Sequence, residues 1–274
     1  MLTLVVCTLG RTAQLRRLLA SLRQQTEKRF RIIIVDQNEH GFLAPVLEEF
    51  ADLPLACVHS PLGLSRARNI GVAFAETPLI GFPDDDCWYR PETVAEVVRR
   101  FHSRPSMQVM TGRTVDADGR ESVSVHLPVS QPITRANVFL AGNTNTFFAR
   151  YGAVAEVNAF NETLGIGSGT RFGSGEETDF LLRCIGRGFE VRYDRDFLVH
   201  HDQVRRDVAR TGSYSAGFGR VARIHRLGAG FVGARVARAA ATSCFFLLRG
   251  NLDQARSRWS WIWGCVAGFA ARPP

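Results

Sequence analysis

Lysine is almost missing from this sequence, because Lys28 is the only one among 274 residues. Arginine therefore carries nearly all of the positive charge, and the formal net charge is +8. This balance favours anionic partners, namely nucleic acid, phosphorylated substrates or acidic lipid, and it does not choose among them. A guanidinium group is suited to bidentate contact with phosphate.

Cysteine motifs are missing as well. The six cysteines are scattered along the chain and form neither a CxxC pair nor a zinc-like spacing. The sequence thus gives no sign of a zinc site built on paired cysteines. It predicts reduced cysteines that act as small core residues in a cytosolic protein.

Long apolar runs are also lacking. The chain begins with a short apolar run that no basic segment precedes, which predicts a first strand and not a signal peptide. No apolar stretch reaches the roughly 20 residues that a transmembrane helix requires. The nearest candidate, residues 239–248, is short and is flanked by Arg235, Arg238 and Arg249. The sequence therefore predicts no membrane-spanning helix.

What the sequence does contain is an alternation of strand and helix patterns. Residues 2–7, 30–36, 55–60 and 78–82 are apolar runs typical of buried strands. Helical patterns begin at Thr12 and Ser65, between these runs. We therefore predict an α/β fold, with a mostly parallel sheet covered by helices. The region 203–274 is arginine-rich and helical in pattern, so we predict two domains, 1–202 and 203–274.

Polar residues follow the predicted strands where each strand ends. In such sheets ligands bind beyond the carboxyl ends of the strands, so we expect these residues to line one crevice. They are Thr8, Arg11, Asp36, Asp84, Asp85 and Asp86. Three adjacent carboxylates repel one another unless a cation lies among them. Mg²⁺ or Mn²⁺ carrying a nucleotide diphosphate would supply that cation, whereas a solvated turn is the simpler alternative.

A second acidic segment lies in "GSGEETDFLLR", residues 173–183. Ser174 and Glu177 fit a capping box, and Asp179 and Arg183 fit a helical ion pair. A carboxylate at this helix start would also be placed to accept a proton from a substrate hydroxyl. Both interpretations remain open from the residues alone. In "LVHH", alternation along a strand lets at most one of the two histidines act as a ligand.

The motifs together resemble family 2 glycosyltransferases of the GT-A fold, of the bacterial polysaccharide or glycolipid type. The resemblance covers about residues 2–201 and rests on the order of the motifs, which are "VVCTLGR", "IIIVDQ", "GLSRARNIG", "FPDDD", "GNTNTFF", "GEETDFLLR" and "YDRDFLVHH". It implies an inverting, metal-dependent transfer of a sugar from a nucleotide-diphosphate donor to an acceptor hydroxyl, without a covalent enzyme intermediate. It also implies that the acceptor is a saccharide or a lipid-linked precursor.

Site residues follow from the same resemblance. The implied donor-binding residues are Thr8, Arg11, Asp36, Arg68, Asn69, Asp84 and Asp85. The implied metal ligands are Asp86 and His201, with Mg²⁺ or Mn²⁺ as the ion. Glu177 is implied as the catalytic base, and Glu176 and Asp179 are the alternatives for that role. Asn143 and Asn145 are expected to shape the choice of acceptor.

The C-terminal region lies largely outside the resemblance. Three tryptophans stand among arginines there, which is typical either of a membrane interface with anionic head groups or of a helical subdomain packed on the sheet. We expect a cytoplasmic protein, with the cytoplasmic face of the membrane as a candidate partner and no nucleic acid. The competing hypotheses are a non-catalytic nucleotide-sugar-binding homologue, a basic nucleic-acid-binding protein and a nucleotidyltransferase.

Overall fold

The computed structural model describes residues 1–141, 143–204 and 207–271. The chain forms two compact units. The first, called the sheet unit here, comprises Met1–Leu62, Arg66–Phe160 and Phe180–Val204. The second, called the helical unit, comprises Gly63–Ser65, Asn161–Asp179 and the chain from 205 onward. The predicted domain boundary at residue 202 stays a prediction.

The strands of the described chain belong to one sheet. They are β1 (Leu2–Thr8), β2 (Phe30–Asp36), β3 (Leu55–His59), β4 (Leu79–Gly81), β5 (Cys87–Trp88), β6 (Met107–Val115), β7 (Gln131–Pro132), β8 (Phe148–Arg150) and β9 (Glu190–His201). Their spatial order is β3-β2-β1-β4-β8-β6-β9-β5, and β7 pairs with β9.

Helices follow most of the strands. They are α1 (Thr12–Arg23), α2 (Ala44–Glu49), α3 (Leu64–Ala73), α4 (Thr93–Ser103), α5 (Tyr151–Glu156), α6 (Glu176–Gly186), α7 (Thr211–Ile224), α8 (Ala229–Leu248) and α9 (Leu252–Ala270). Short 3-10 turns cover Val138–Leu140, Thr144–Thr146 and Val208–Arg210.

The predicted α/β fold is confirmed, and its sheet is mixed. The pairs β1–β2, β2–β3, β1–β4 and β6–β9 are parallel. The pairs β4–β8, β6–β8, β5–β9 and β7–β9 are antiparallel. The parallel prediction was correct for β1 to β4, where helices supply the crossovers that parallel pairing requires. The short strands β5, β7 and β8 have no such repeating pattern in the sequence.

The core of the sheet unit is formed by large apolar side chains. Leu15, Leu18, Leu19 and Leu22 recur on one face of α1 and are fully buried, as their spacing predicts. Strands β1 and β2 are buried along almost their whole length. Burying these side chains removes apolar surface from water, which is the main stabilising term for the unit.

Two local predictions were wrong. The segment "SRARNIGVAFA" predicts an inward Phe74, but α3 ends at Ala73 and Phe74 is exposed. The segments "FEVRYD" and "DFLVHH" predict two strands, but they form the single strand β9. Register shifts in its pairing with β6 let one long strand accommodate the polar residues between the two apolar runs.

One helix of the described chain, α8, is long and apolar enough to cross a bilayer by length and composition. The expected apolar segment, residues 239–248, was too short, because the helix continues through Arg235 and Arg238 to Ala229. Only 11% of its apolar window is buried within the protein. The prediction of no membrane-spanning helix stays a prediction.

Candidate active site

The aspartate turn follows β4 and contains Asp84, Asp85 and Asp86. Asp84 forms an isolated parallel bridge with Cys7 of β1, which holds the turn at the carboxyl end of that strand. The guanidinium of Arg68 lies 3.3 Å from the carboxylate of Asp84 and 5.2 Å above the ring of Phe160. Because Arg68 is almost fully buried, its charge is little screened by solvent. The chain itself therefore supplies a cation for the first aspartate.

Arg11 contacts both of the other aspartates. Its Nη1 lies 3.0 Å from Asp85 Oδ1 and also donates to Asp86 Oδ2. Burial raises the pKa of Asp85 above its ordinary value, against the opposing charge of Arg11. The Arg11 guanidinium thus reduces the repulsion between these adjacent carboxylates. It is one of the cations that the run of three aspartates predicts.

His201 ends β9 and reaches the same turn. Cys87 pairs with His201 across β5 and β9, which sets His201 Nε2 3.0 Å from Asp86 Oδ1. Burial works to raise the pKa of Asp86, but the hydrogen bond and charge of His201, with the charge of Arg11, lower it below its ordinary value. Burial works to lower the pKa of His201, and its hydrogen bond and charge interaction with Asp86 outweigh this and raise it.

The neighbouring histidine has a different environment. The ring of His200 stacks on Trp88, with 5.4 Å between the ring centroids. Burial lowers the pKa of His200, and the charge of Arg90 adds to this effect. The alternation along β9 therefore gives the two histidines separate partners, and His201 is the one beside the aspartates.

The carboxyl ends of β1 and β2 lie side by side. Thr8 is buried and stands opposite Asp36 in the register of the two strands. Asp36 Oδ1 accepts from the backbone N–H and the side-chain amide of Asn38, at 2.9 and 2.7 Å. Asn38 Oδ1 in turn accepts from the N–H of Gly10 at 2.6 Å. Gly10 has a φ of +71°, which favours glycine, so the turn before Arg11 is fixed by this chain of contacts.

Sequence analysis missed Asn38 and Arg17. Arg17 donates to the carbonyl of Asp86 at 2.7 Å and to the carboxylate of Asp202 at 2.8 Å. Its guanidinium also lies 4.1 Å from the ring centroid of Trp88. Arg17 thus ties the aspartate turn to the segment that follows His201. Its partners lie 69 and 185 residues away along the chain, so no local pattern could have indicated them.

The side chains of Asp86 and His201 fit a divalent cation. His201 Nδ1 donates to the carbonyl of Asp202 at 2.6 Å, which leaves Nε2 as the nitrogen directed toward Asp86. A carboxylate oxygen and an imidazole nitrogen are a donor pair that Mn²⁺ accepts, and Mg²⁺ is held in many sites by one or two carboxylates. In the described chain no group of three or more such residues gathers. Water and a diphosphate would supply the other ligands.

The remaining predicted side chains make contacts within the protein. Asn69 pairs with both backbone groups of Phe160, at 2.9 and 2.8 Å, and so fixes the backbone at that residue. Asn143 donates to the Ser124 hydroxyl at 3.3 Å. Asn145 is fully buried, and its Oδ1 lies 3.3 Å from the Thr114 hydroxyl.

The acidic residues of α6 belong to the helical unit. The helix begins at Glu176, and the N–H of Asp179 donates to the carbonyl of Gly175, so Gly175 and not Ser174 is the cap. Gly175 has a φ of +98°, which a serine rarely adopts. Ser174 donates instead to the carbonyl of Tyr214 at 2.8 Å.

The three acidic side chains differ in accessibility. Asp179 is buried and lies 2.8 Å from Nε2 of His225, a partner that sequence analysis missed. Glu176 is also buried, and its carboxyl group lies beside Gly165. Glu177 is half-buried. It is therefore the most accessible of the three carboxylates at this helix start.

A comparison with protein families agrees with this arrangement. The model for "Glycosyl transferase family 2" matches residues 3–164, which is more than half of the chain. The chain belongs to glycosyl transferase family 2. The family match includes the aspartate turn, Arg11 and Arg68, and it ends before α6 and His201.

Relatives of this family 2 member carry similar names. A pre-mycofactocin glycosyltransferase of Mycobacterium tuberculosis is 28% identical over 230 residues, covering 77% of this chain and 45% of the relative. An uncharacterised glycosyltransferase of Haemophilus influenzae is 29% identical over 109 residues, covering 39% of this chain and 36% of the relative. The chain thus spans less than half the length of these curated relatives.

Solved structures share the fold of this family 2 member. A mannosyltransferase from Pyrobaculum calidifontis, in complex with GDP-Man and Mn²⁺, has a TM-score of 0.69 at 14% identity, covering 98% of this chain and 87% of its own. S. aureus TarS 1-349 in complex with UDP-GlcNAc has a TM-score of 0.61 at 14% identity. The likeness covers 98% of this chain and 90% of the TarS chain. These likenesses confirm the GT-A fold.

Proposed function

We propose that this protein transfers a sugar from a nucleoside diphosphate donor to an acceptor hydroxyl. The observation that carries the proposal is the aspartate turn, where Asp86 and His201 meet at the carboxyl end of the sheet in a family 2 chain. Ligands of open α/β sheets bind at that end. Two structures of the same fold contain UDP-GlcNAc and GDP-Man, which supports a nucleotide sugar as the donor.

The donor would lie along the ends of β1, β2 and β4. Asp36 and Thr8 stand at adjacent strand ends, and we assign them to the nucleoside. Arg11 is half exposed and already holds two carboxylates, so it is placed to bind the diphosphate. Arg68 and Asn69 act by fixing Asp84 and Phe160, which makes them positioning residues of the donor site.

Asp86 and His201 would hold Mg²⁺ or Mn²⁺. When bound, such an ion neutralises the negative charge that builds up on the departing nucleoside diphosphate. The chain's own contribution is orientation. Arg17 holds the Asp86 carbonyl, Arg11 holds the Asp86 carboxylate, and the Asp202 carbonyl orients the His201 ring.

Glu177 is the catalytic base of this proposal. It accepts the proton of the acceptor hydroxyl as that oxygen attacks the anomeric carbon, and the bond from that carbon to the diphosphate breaks. A single displacement of this kind inverts the anomeric configuration. The accessibility of Glu177 supports it over Glu176 and Asp179, which are buried.

The acceptor is a saccharide or a lipid-linked precursor in this proposal, with Asn143 and Asn145 as contributors to its choice. Asn145 is buried, so it would act by shaping the wall behind the acceptor. The six cysteines are free thiols, which supports a cytoplasmic location.

A thermal-shift titration tests donor binding. The purified protein is heated with UDP, GDP, dTDP or CDP, with and without Mn²⁺. A ligand at about 100 times its Kd stabilises the native state by about 2.7 kcal/mol. We expect one nucleotide to raise the melting temperature with Mn²⁺, and Asp86→Ala to remove this effect. Asp118→Ala is the matched control, because Asp118 is an exposed turn residue.

The same titration distinguishes the alternatives. If no nucleotide raises the melting temperature, the proposed donor site is refuted, and salt-dependent RNA binding would then favour a nucleic-acid-binding protein. If a nucleotide binds but no sugar is transferred to any acceptor hydroxyl, a non-catalytic homologue is favoured. Where transfer occurs, proton NMR of the product reports the anomeric configuration, and retention would refute the single displacement.

A further inference from the structure

Helices α7 and α9 pack through their smallest residues. A Cβ added at Gly264 would lie 2.1 Å from the carbonyl oxygen of Gly212, and one at Gly268 would lie 2.0 Å from that of Ala216. A Cβ at Gly219 would lie 2.0 Å from the carbonyl oxygen of Cys265. The two main chains are therefore in direct contact. Such close approach is typical of helices that associate within membranes.

Several large apolar side chains of α8 and α9 are exposed to solvent. Phe245, Leu248, Leu252, Trp259, Trp263 and Val266 are all exposed, and together they are called the apolar face. Trp263 is 72% exposed and Leu248 is 89% exposed. On α9 the exposed positions recur every three or four residues, so they form one continuous stripe along the helix. Small residues form the contact of α7 with α9, whereas the large residues of the apolar face are exposed.

The apolar face lies outside the apolar cluster of this unit, in which Phe218, Phe231 and Trp261 pack. The hydrophobic effect favours burial of the largest apolar side chains, as the sheet unit shows with the leucines of α1. Contiguous exposed apolar patches on soluble proteins mark interaction sites. The apolar face therefore requires an apolar partner.

The charges beside the apolar face identify that partner as anionic. Helix α8 contains no acidic residue, and α9 contains only Asp253. Arg238 and Arg256 lie exposed on the same helix surfaces, and Arg249 lies exposed between the two helices. Basic residues beside tryptophans suit the head-group region of an anionic bilayer.

We propose that the apolar face docks on the surface of an anionic lipid bilayer, with α8 and α9 lying in the interface. A spanning arrangement is disfavoured because Arg238 and Arg256 would enter the hydrocarbon, at about 2.5 to 3.5 kcal/mol for each arginine at the centre. Docking of a second copy on the apolar face is disfavoured, because the arginines beside the two faces would repel one another. The proposal goes beyond sugar transfer and does not depend on it.

Vesicle flotation of the full chain tests this docking. The probes are vesicles of phosphatidylglycerol mixed with phosphatidylcholine, and vesicles of phosphatidylcholine alone. We expect the protein to float with the anionic vesicles at about 0.05 M NaCl, to float poorly with the neutral ones, and to be released at about 0.5 M NaCl as its charges are screened. No flotation with anionic vesicles at low salt would overturn the proposal.

A charge placed on the apolar face should disrupt docking. Trp263→Glu is expected to weaken vesicle binding about tenfold or more, because a carboxylate enters both an apolar and an anionic region. Phe74→Glu is the matched control, since Phe74 is an exposed aromatic residue of the sheet unit outside the proposed site. Equal losses in the two variants, or none in Trp263→Glu, would contradict the proposal.

A second measurement does not depend on the stability of that variant. Brominated lipids quench tryptophans that enter the bilayer, and Trp259→Phe/Trp263→Phe keeps the face apolar while removing the exposed tryptophans. We expect quenching in the native protein and little in the double variant.

Sedimentation equilibrium without lipid tests whether the apolar face binds a second copy of this chain. A dimer abolished by Trp263→Glu would assign the face to a second copy, and vesicle-bound protein that only detergent releases would show that it spans the bilayer.

Discussion

The two units of this molecule differ in how completely they cover their large apolar side chains. In the sheet unit the leucines of α1 and the strands β1 and β2 are buried. In the helical unit glycines and an alanine form the contact of α7 with α9, a smaller apolar cluster packs around Val232 and Cys265, and the large residues of the apolar face are exposed. Both units contain amphipathic helices, so amphipathicity alone did not determine which face is covered.

The candidate functional residues are also divided between the two units. The sheet unit contains the aspartate turn, with cationic partners drawn from α1, α3 and β9. The helical unit contains the acidic start of α6, with His225 of the chain after α7 beside Asp179. Under the proposed function the first unit binds the donor and the second supplies the base. Variants in each unit should therefore fail in different assays.

The largest effect is expected from Glu177→Gln. Removing the proposed general base should lower the rate of sugar transfer by about 10² to 10⁴-fold, because the acceptor hydroxyl then loses its proton acceptor. The nucleotide-dependent thermal shift should remain, since the donor residues are unchanged. The measurement is initial-rate kinetics beside the thermal-shift titration, with Glu162→Gln as a control outside α6. A full rate in Glu177→Gln would remove this residue from the mechanism.

The next effect is the loss of a large core side chain in the sheet unit. Leu18→Ala should lower the free energy of unfolding by about 2 to 5 kcal/mol, because it leaves a cavity at a fully buried position of α1. The same substitution at the exposed Leu247 of α8 should change it by less than about 0.5 kcal/mol. Urea unfolding measures both. Similar decreases in the free energy of unfolding of the two variants would contradict the difference in side-chain burial between the two units.

Adding a methyl group at the contact of α7 with α9 should destabilise the protein. Gly268→Ala should lower the free energy of unfolding by about 1 to 3 kcal/mol, because the new Cβ meets the main chain of α7. Gly233→Ala in α8 is the control, since its Cβ would meet nothing within 4 Å. There the higher helix propensity of alanine should stabilise the protein by about 0.5 to 1 kcal/mol. Opposite signs in the two variants would confirm close packing of α7 and α9.

The smallest effect concerns acid stability at Glu27. The hydrogen bond from the Arg29 side chain lowers the pKa of Glu27 to about 2, and the backbone N–H of Arg29 adds to this. Because the folded pKa lies below the unfolded one, the ionised carboxylate stabilises the protein above pH about 4.5, and this is lost as the pH falls toward 2. Glu27→Gln should therefore be slightly less stable than the native protein near neutrality and equally stable near pH 2. Urea midpoints across this range would show whether the two curves converge.

Much of the sheet unit could be predicted from the sequence. Apolar runs and a leucine repeat are local signals, so β1, β2, β4 and α1 were placed correctly. The strand ends at Thr8, Asp36 and Asp84 followed from the same alternation, because parallel strands present their carboxyl ends at one edge. The mixed pairing of β5 to β9 was not predictable in this way, since antiparallel partners are chosen by tertiary contacts.

The sequence by itself determined the family, the positions of β1 to β4 along the chain and the presence of carboxylates after β4. Only the tertiary structure decided that Arg11, Arg68 and His201 supply the charges facing those carboxylates, and that His225 faces Asp179. It alone decided that α8 and α9 leave the large residues of the apolar face exposed. A periodic pattern states which residues share a helix face, but whether that face is covered depends on segments distant along the chain.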